Sequence, residues 1–111
     1  MAVPHPLPPE LAASLADRFR LLAEPTRLRL LDLLRDGERS VGALAEQVGC
    51  TQANVSKHLA LLADGGLVVR RREGLHCYYA VSDPSVFSLC ETVCDGLRRH
   101  WDARAGSFGS A

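Results

Sequence analysis

Ser40-Val41-Gly42-Ala43-Leu44-Ala45-Glu46-Gln47-Val48-Gly49-Cys50-Thr51-Gln52-Ala53-Asn54-Val55-Ser56-Lys57-His58-Leu59 is the stretch on which the fold turns. Ser40 suits a helix start, Leu44 and Val48 fall one turn apart, and Gly49 ends the run. Thr51 offers a second cap, followed by Val55, Leu59 and Leu62 at helical spacing. The spacing predicts a short helix over 41–48, a tight turn, and a longer helix from Thr51 to about Asp64, which together make a helix-turn-helix. One face of the second helix is apolar, leaving Gln52, Asn54, Ser56, Lys57 and His58 for its other sides.

Toward the C-terminus, Gly65-Gly66 breaks the helical period. Leu67-Val68-Val69-Arg70-Arg71-Arg72, a Glu73-Gly74 turn and His76-Cys77-Tyr78-Tyr79-Ala80-Val81 read as a β-hairpin. Asp83-Pro84 supplies a cap and a first-turn proline for a last helix to about Trp101, apolar at Val86, Phe87, Leu89, Cys90, Val93, Cys94, Leu97 and Trp101. Toward the N-terminus, Pro8-Pro9 opens a helix carrying Leu11, Leu15, Phe19 and Leu22. Glu24-Pro25 opens another, with Leu28, Leu31 and Leu34 as its expected buried stripe until Gly37. The fold expected is mainly α with a small β-hairpin, a winged helix-turn-helix of five helices plus wing. Its parts are a flexible leader over 1–9, the domain over 10–102 and a flexible tail over 103–111.

A chain of 111 residues, 47% apolar and 23% charged, suits one soluble globular domain and excludes disorder and fibre. No apolar run approaches the ~20 residues needed to span a bilayer, and the proline-punctuated leader lacks the regions of a signal peptide. The expected setting is cytoplasmic, with no membrane partner. In that reducing compartment the four cysteines do not read as a disulfide framework. Thirteen basic residues balance thirteen acidic ones, but the middle third is positive, with Lys57, Arg70, Arg71 and Arg72 against Asp64 and Glu73.

Double-stranded DNA is the partner such a layout fits. A second helix of this kind enters the major groove, where Gln52 and Asn54 can bond adenine edges, Thr51 and Ser56 reach bases or phosphates, and Lys57 and His58 meet the backbone. Arg70, Arg71 and Arg72 on the hairpin would add salt-dependent attraction to phosphates. The bland alternative is a solvated helix face and a charged hairpin edge that deters aggregation. The first and last helices carry more bulky apolar residues than one small unit buries, which points to a homodimer packing its terminal helices across a two-fold axis. Its recognition helices would then meet half-sites roughly 34 Å apart on a palindromic operator.

The chain resembles the ArsR/SmtB family of metal- and stress-responsive repressors. The resemblance runs through Leu22-Ala23-Glu24-Pro25-Thr26-Arg27-Leu28-Arg29-Leu30-Leu31, Leu44-Ala45, Gln52-Ala53-Asn54-Val55-Ser56-Lys57-His58-Leu59, Leu62-Ala63-Asp64-Gly65-Gly66-Leu67-Val68 and Arg72-Glu73-Gly74, and spans about residues 10–100. It implies a dimer that blocks transcription until an inducer lowers its operator affinity. Two sensor sites of the family have no counterpart here. Ser40 and Gly42 stand where soft-metal members carry a Cys-x-Cys pair. Of the Asp, His, His and Glu of zinc and nickel members, only Asp83 is kept, beside Ser85, Gly96 and Arg99; Asp83 alone reads as a helix cap.

The last helix carries Cys90-x-x-x-Cys94 instead, two thiols on one face about a turn apart. Three readings stand. The pair can bind a thiophilic ion such as arsenite, Cd(II), Zn(II) or Pb(II), with Cys77, Cys50 or the partner subunit completing the site. It can sense oxidants or reactive sulfur, although a disulfide between them would strain an intact helix. Or both are small apolar core residues. His5, His76 and His100 lack ligand spacing. An enzyme is not expected, because Ser56, Lys57 and His58 are consecutive on a helix and fan apart. A soft-metal buffer or chaperone, and a wing that binds protein, are the remaining alternatives; salt-dependent DNA binding separates a repressor from both.

Overall fold

The computed structural model describes residues 2–107, with side chains through residue 104. Its elements are α1 (Pro9–Leu22), α2 (Pro25–Leu33), a 3-10 turn (Leu34–Asp36), β1 (Arg39–Ser40), α3 (Val41–Val48), α4 (Gln52–Asp64), β2 (Val68–Glu73), β3 (His76–Val81) and α5 (Ser85–Ser107). Five helices and a small antiparallel sheet thus follow the order expected of a winged helix-turn-helix.

The caps form as their side chains dictate. Ser40 accepts from the Ala43 N–H and Thr51 from the Asn54 N–H, each at 3.1 Å, satisfying amides that the first turn leaves unpaired. Gly49, with φ of 72°, closes α3 in the left-handed region and turns the chain into α4. Val55, Leu59 and Leu62 of α4 then reach zero exposure beside Leu30 of α2 and Leu44 of α3. Burying each such side chain contributes roughly 1.5–3 kcal/mol, so α4 is held by the densest part of the core.

The inward face of α2 differs from the expected stripe. Leu30, Leu31 and Leu34 are buried, whereas Leu28 stays 39% exposed. Leu28 lies on the flank of the helix that faces α5, where no further layer covers it. The hairpin also gains a third strand, since Arg39 and Ser40 pair with Tyr79 and Tyr78 and make β3 the central strand. Two residues are too few to show a period of two, and Ser40 already signals the cap of α3.

Gly65, at the end of α4, lies close under Leu21 of α1. Its φ of −81° suits any residue, but a methyl there would lie 2.3 Å from Leu21 Cδ2 of α1. α1 is therefore seated directly on the corner between α4 and β2.

α5 starts at Ser85, one residue beyond the proline read as its first turn. Asp83 accepts from the Ser85 amide and hydroxyl, and those bonds hold its carboxyl below the ordinary range. The helix continues to Ser107, past the end near Trp101 expected from the sequence; of the residues assigned to a tail, 108–111 lie outside the described residues. Among the described side chains of α5 only Val86 is buried, with Phe87, Leu89 and Cys90 partly packed on the core. A radius of gyration of 17.2 Å exceeds the about 13 Å of a compact domain of this length, as a long projecting helix requires.

Candidate nucleic-acid interface

Recognition-type side chains lie where the amphipathic pattern of α4 puts them. Gln52, Asn54, Ser56 and Lys57 are exposed, as is the capping residue Thr51. Gln52 and Ser56 line a cleft of about 460 Å³ whose other walls are Ser40, Val41 and Gly42 at the start of α3 and Leu75, His76 and Cys77 of the wing. Helix and wing tip are thus brought to two sides of one concave surface.

His58 is a correction to the expected set. It turns inward, its side chain 16% exposed, and its Nδ1 receives a hydrogen bond from Arg27 Nη1 at 3.2 Å. Arg27 also donates from Nε to Leu21 O at 2.6 Å and from Nη2 to Arg20 O at 3.3 Å, while its backbone N–H donates to Glu24 Oε2 at 2.9 Å. One guanidinium therefore caps the end of α1 and ties it to α4. Since Arg27 can only donate, His58 Nδ1 is the acceptor and the imidazole proton sits on Nε2. The signal was present in the spacing: position 58 lies three after Val55 and four before Leu62, on the buried side.

Arg71 is the second correction. Its Nε and Nη2 donate to Glu38 at 2.9 and 2.7 Å, Nη1 donates to Glu73 at 2.7 Å, and the guanidinium lies 4.7 Å from the centre of the Tyr78 ring. These contacts raise its pKa further above the ordinary arginine value and lower that of Glu38. Arg71 braces the wing against the segment before β1 and shares its charge with two carboxylates while its side chain stays about half exposed. Strand alternation separates it from its neighbours, because Arg70 and Arg72 sit opposite Tyr79 and Cys77 on the other sheet face and remain exposed. Lys57, Arg70 and Arg72 are the exposed basic side chains of this region that are not drawn into that brace. No pattern within the hairpin announces the brace, since Glu38 is more than thirty residues away in the chain.

The cysteines divide into three places. Cys90 is half-buried and Cys94 exposed; both line an apolar cleft of about 310 Å³ with Phe19, Leu22, Leu28 and Leu97 on one side, and on the other a cleft that also holds Asp32, Arg35 and Glu91. Cys77 lies in the wing beside the α4 cleft. Cys50 packs against the core near the turn, 3.9 Å from Val48 O. Among the described residues no three His, Cys, Asp or Glu side chains converge as a metal site. Neither Cys50 nor Cys77 lines the cleft of the α5 pair, so neither completes it within one copy. Phe19, Leu28, Val93, Leu97 and Trp101 leave 39–57% of their surfaces exposed along α1, α2 and α5.

Residues 22–71 match the family described as a helix-turn-helix domain. The HTH-type transcriptional regulator KmtR of Mycobacterium tuberculosis is 38% identical over 110 residues, 93% of this chain and 85% of that protein. The homodimeric winged helix-turn-helix DNA-binding domain Mb0332 of Mycobacterium bovis, described as "a possible ArsR-family transcriptional regulator", superposes with a TM-score of 0.70 at 37% identity, over 82% of this chain and 87% of that one. The chain belongs to the ArsR/SmtB family. A further relative, the "Probable mercury resistance operon repressor" of Streptomyces lividans, is 46% identical over 71 residues, 64% of this chain and 57% of that relative's length. Within this ArsR/SmtB fold the matched segment spans α2 to the middle of the wing, which contains the whole cleft between α4 and β3 except its wing-tip wall.

Proposed function

We propose that the protein is a DNA-binding transcriptional repressor, active as a homodimer on a palindromic operator and released by a thiophilic ion at Cys90 and Cys94. The observation that carries the DNA-binding part is the exposed polar edge of α4 facing a braced wing across one cleft. Gln52, Asn54 and Ser56 are free to meet base edges, with Lys57, Arg70 and Arg72 for phosphates. His58 and Arg71 act one step back, holding α4 and the wing at a fixed angle to each other.

The exposed apolar stripe along α1 and α5 supports dimerisation through those helices, as does the homodimeric relative. Two thiols one turn apart at that stripe suit a soft cation or arsenite. Their donor set is incomplete in one copy, so the remaining ligands would come from the partner subunit or from the ligand itself. The mercury-associated name of one relative favours this class. Binding there would change how two α5 helices cross and, through α1 and Arg27, the setting of α4. A non-enzymatic role is part of this proposal; Ser56 and Lys57 face solvent while His58 is bonded to Arg27, an arrangement that does not pair a nucleophile with a base. No described helix is long and apolar enough to cross a membrane, consistent with a cytoplasmic regulator.

The test is fluorescence anisotropy of reduced protein on its own upstream DNA, challenged with arsenite, Cd(II), Zn(II), Pb(II), peroxide and an organic persulfide. Wild type is expected to lose affinity by about 5- to 150-fold with a soft ion. Cys90→Ser/Cys94→Ser is expected to bind equally well and not respond. Equal release of the mutant would refute the sensor, and salt-independent or absent DNA binding would refute the repressor. Release by peroxide or persulfide alone would move the same cysteines to thiol oxidation, a reading that the exposure of Cys94 favours.

A further inference from the structure

Leu75 is 97% exposed, the most exposed large apolar residue among those described. The other strongly exposed ones on α1, α2 and α5 belong to the stripe already assigned to a second copy. Leu75 stands apart at the tip of the wing, in the turn between the paired residues Glu73 and His76. Gly74 takes a φ of +61° and Leu75 a negative one, the sequence order of a tight hairpin turn with glycine first, which matches the twist of the strands and leaves little freedom at the tip.

That tip is also held from below. Arg71 joins Glu38 through two bonds and Glu73 through a third, which fixes the outer wing to the body of the domain. Glu73, the one acidic side chain in the outer half of β2, is held by its bond to Arg71 and turned toward that guanidinium. The braced hairpin therefore presents a single leucine at its tip, and Leu75 shares its cleft with Gln52 and Ser56 of α4.

We propose that Leu75 is an apolar wedge for the DNA minor groove beside each half-site. The inference rests on the DNA-binding reading given above. With α4 in the major groove, one sugar-phosphate backbone occupies the cleft between α4 and the wing. The backbone is what divides the two grooves, so the wing tip falls on its minor-groove side. A groove about 6 Å wide excludes the sheet but admits one side chain at a hairpin tip. An apolar side chain has no edge to read there; it enters by partly unstacking a base step, which pyrimidine–purine steps permit most easily. Arg72, exposed two residues before the turn, is placed for a flanking phosphate. The leucine thus adds specificity by deformability at positions where no base is hydrogen-bonded.

The experiment is selection from a randomised duplex pool by wild type, Leu75→Ala and Leu75→Arg, followed by energy transfer between dyes at the ends of the selected duplex. Wild type is expected to enrich a pyrimidine–purine step at one fixed position outside each half-site. Changing that step from TA to AA should lower its affinity about fivefold or more. Leu75→Ala is expected to select the same half-sites, lose the flanking preference and bend the duplex less. Leu75→Arg should bind all flanks more tightly at low salt, again without the step preference. Retention of both bend and step preference by Leu75→Ala would overturn the wedge, as would half-site enrichment by wild type without any flanking preference. Failure of wild type to enrich any half-site would instead overturn the DNA-binding reading and the wedge with it.

Discussion

α4 and α5 are both amphipathic helices, yet one is finished within the monomer and the other is not. Thirteen residues of α4 bring Val55, Leu59 and Leu62 to zero exposure. Of the α5 residues whose side chains are described, only Val86 is buried, although the helix is twenty-three residues long. The difference lies in what surrounds them, since α2, α3 and β2 wrap α4. Beyond Cys90, α5 meets α1, α2 and the turn after α2 only in part, through the Glu91–Arg35 pair and the cleft of Val93, Cys94 and Leu97, and leaves Val93, Leu97 and Trp101 about half exposed. A helix that reads a partner must be held rigidly from behind. A helix that joins two copies must keep its apolar side available.

The contrast can be broken first in the core. Leu59→Ala is expected to cost about 2–5 kcal/mol by urea unfolding, because a fully packed site leaves a cavity. Leu97→Ala, measured on dissociated protein, should cost little by the same method. Next, Leu97→Asp is expected to leave the helical circular dichroism unchanged and to raise the dimer dissociation constant at least about thirtyfold, the size of a hot-spot loss. Sedimentation at graded concentrations reads it; an unchanged dimer would place the interface elsewhere. Arg27→Met should destabilise by about 1–3 kcal/mol, since two α1 carbonyls and His58 lose their donor. It should also weaken DNA binding although Arg27 touches no base.

The smallest effect belongs to the wing brace. Glu38 has a carboxyl pKa below its ordinary 4.5, chiefly through its bonds to Arg71. Its contribution is therefore complete above that ordinary value and fades as pH falls through the lowered one. Chemical shifts of Tyr78 and of the Arg71 side-chain N–H should stay constant from neutral pH downward until the carboxylate range is passed, and Glu38→Gln should remove that transition. A transition near neutral pH would assign the brace to another group.

The order of elements was legible because caps and apolar spacing agree locally: Ser40, Thr51, Gly49 and the Val55-Leu59-Leu62 stripe each act over a few residues. The misplacements are tertiary. Leu28 sits on the helix that also carries Leu30, Leu31 and Leu34, and only the position of α5 decides which flank stays open. β1 is two residues long and acquires its character from Tyr78 and Tyr79. Arg71 resembles Arg70 and Arg72 until strand alternation turns it toward a glutamate distant in the chain. His58 looked like part of a polar face because its partner, Arg27, lies on another helix. The cysteine pair was legible as a pair, and its apolar surroundings emerge only when α1 and α2 are seen beside α5.

The seat of Leu21 on Gly65 bears on how such a protein can drift. The hydrogen at position 65 sets how closely α1 approaches the corner below α4, and so sets the angle between the surface that joins copies and the surface that faces outward from α4. A methyl there would press on Leu21 Cδ2, and wherever that side chain does not turn aside α1 must shift, tilting one surface relative to the other without altering a side chain on either. A lineage could in that way retune the separation its two reading helices span, and with it the targets it recognises, through one small atom group at a site that touches neither DNA nor partner.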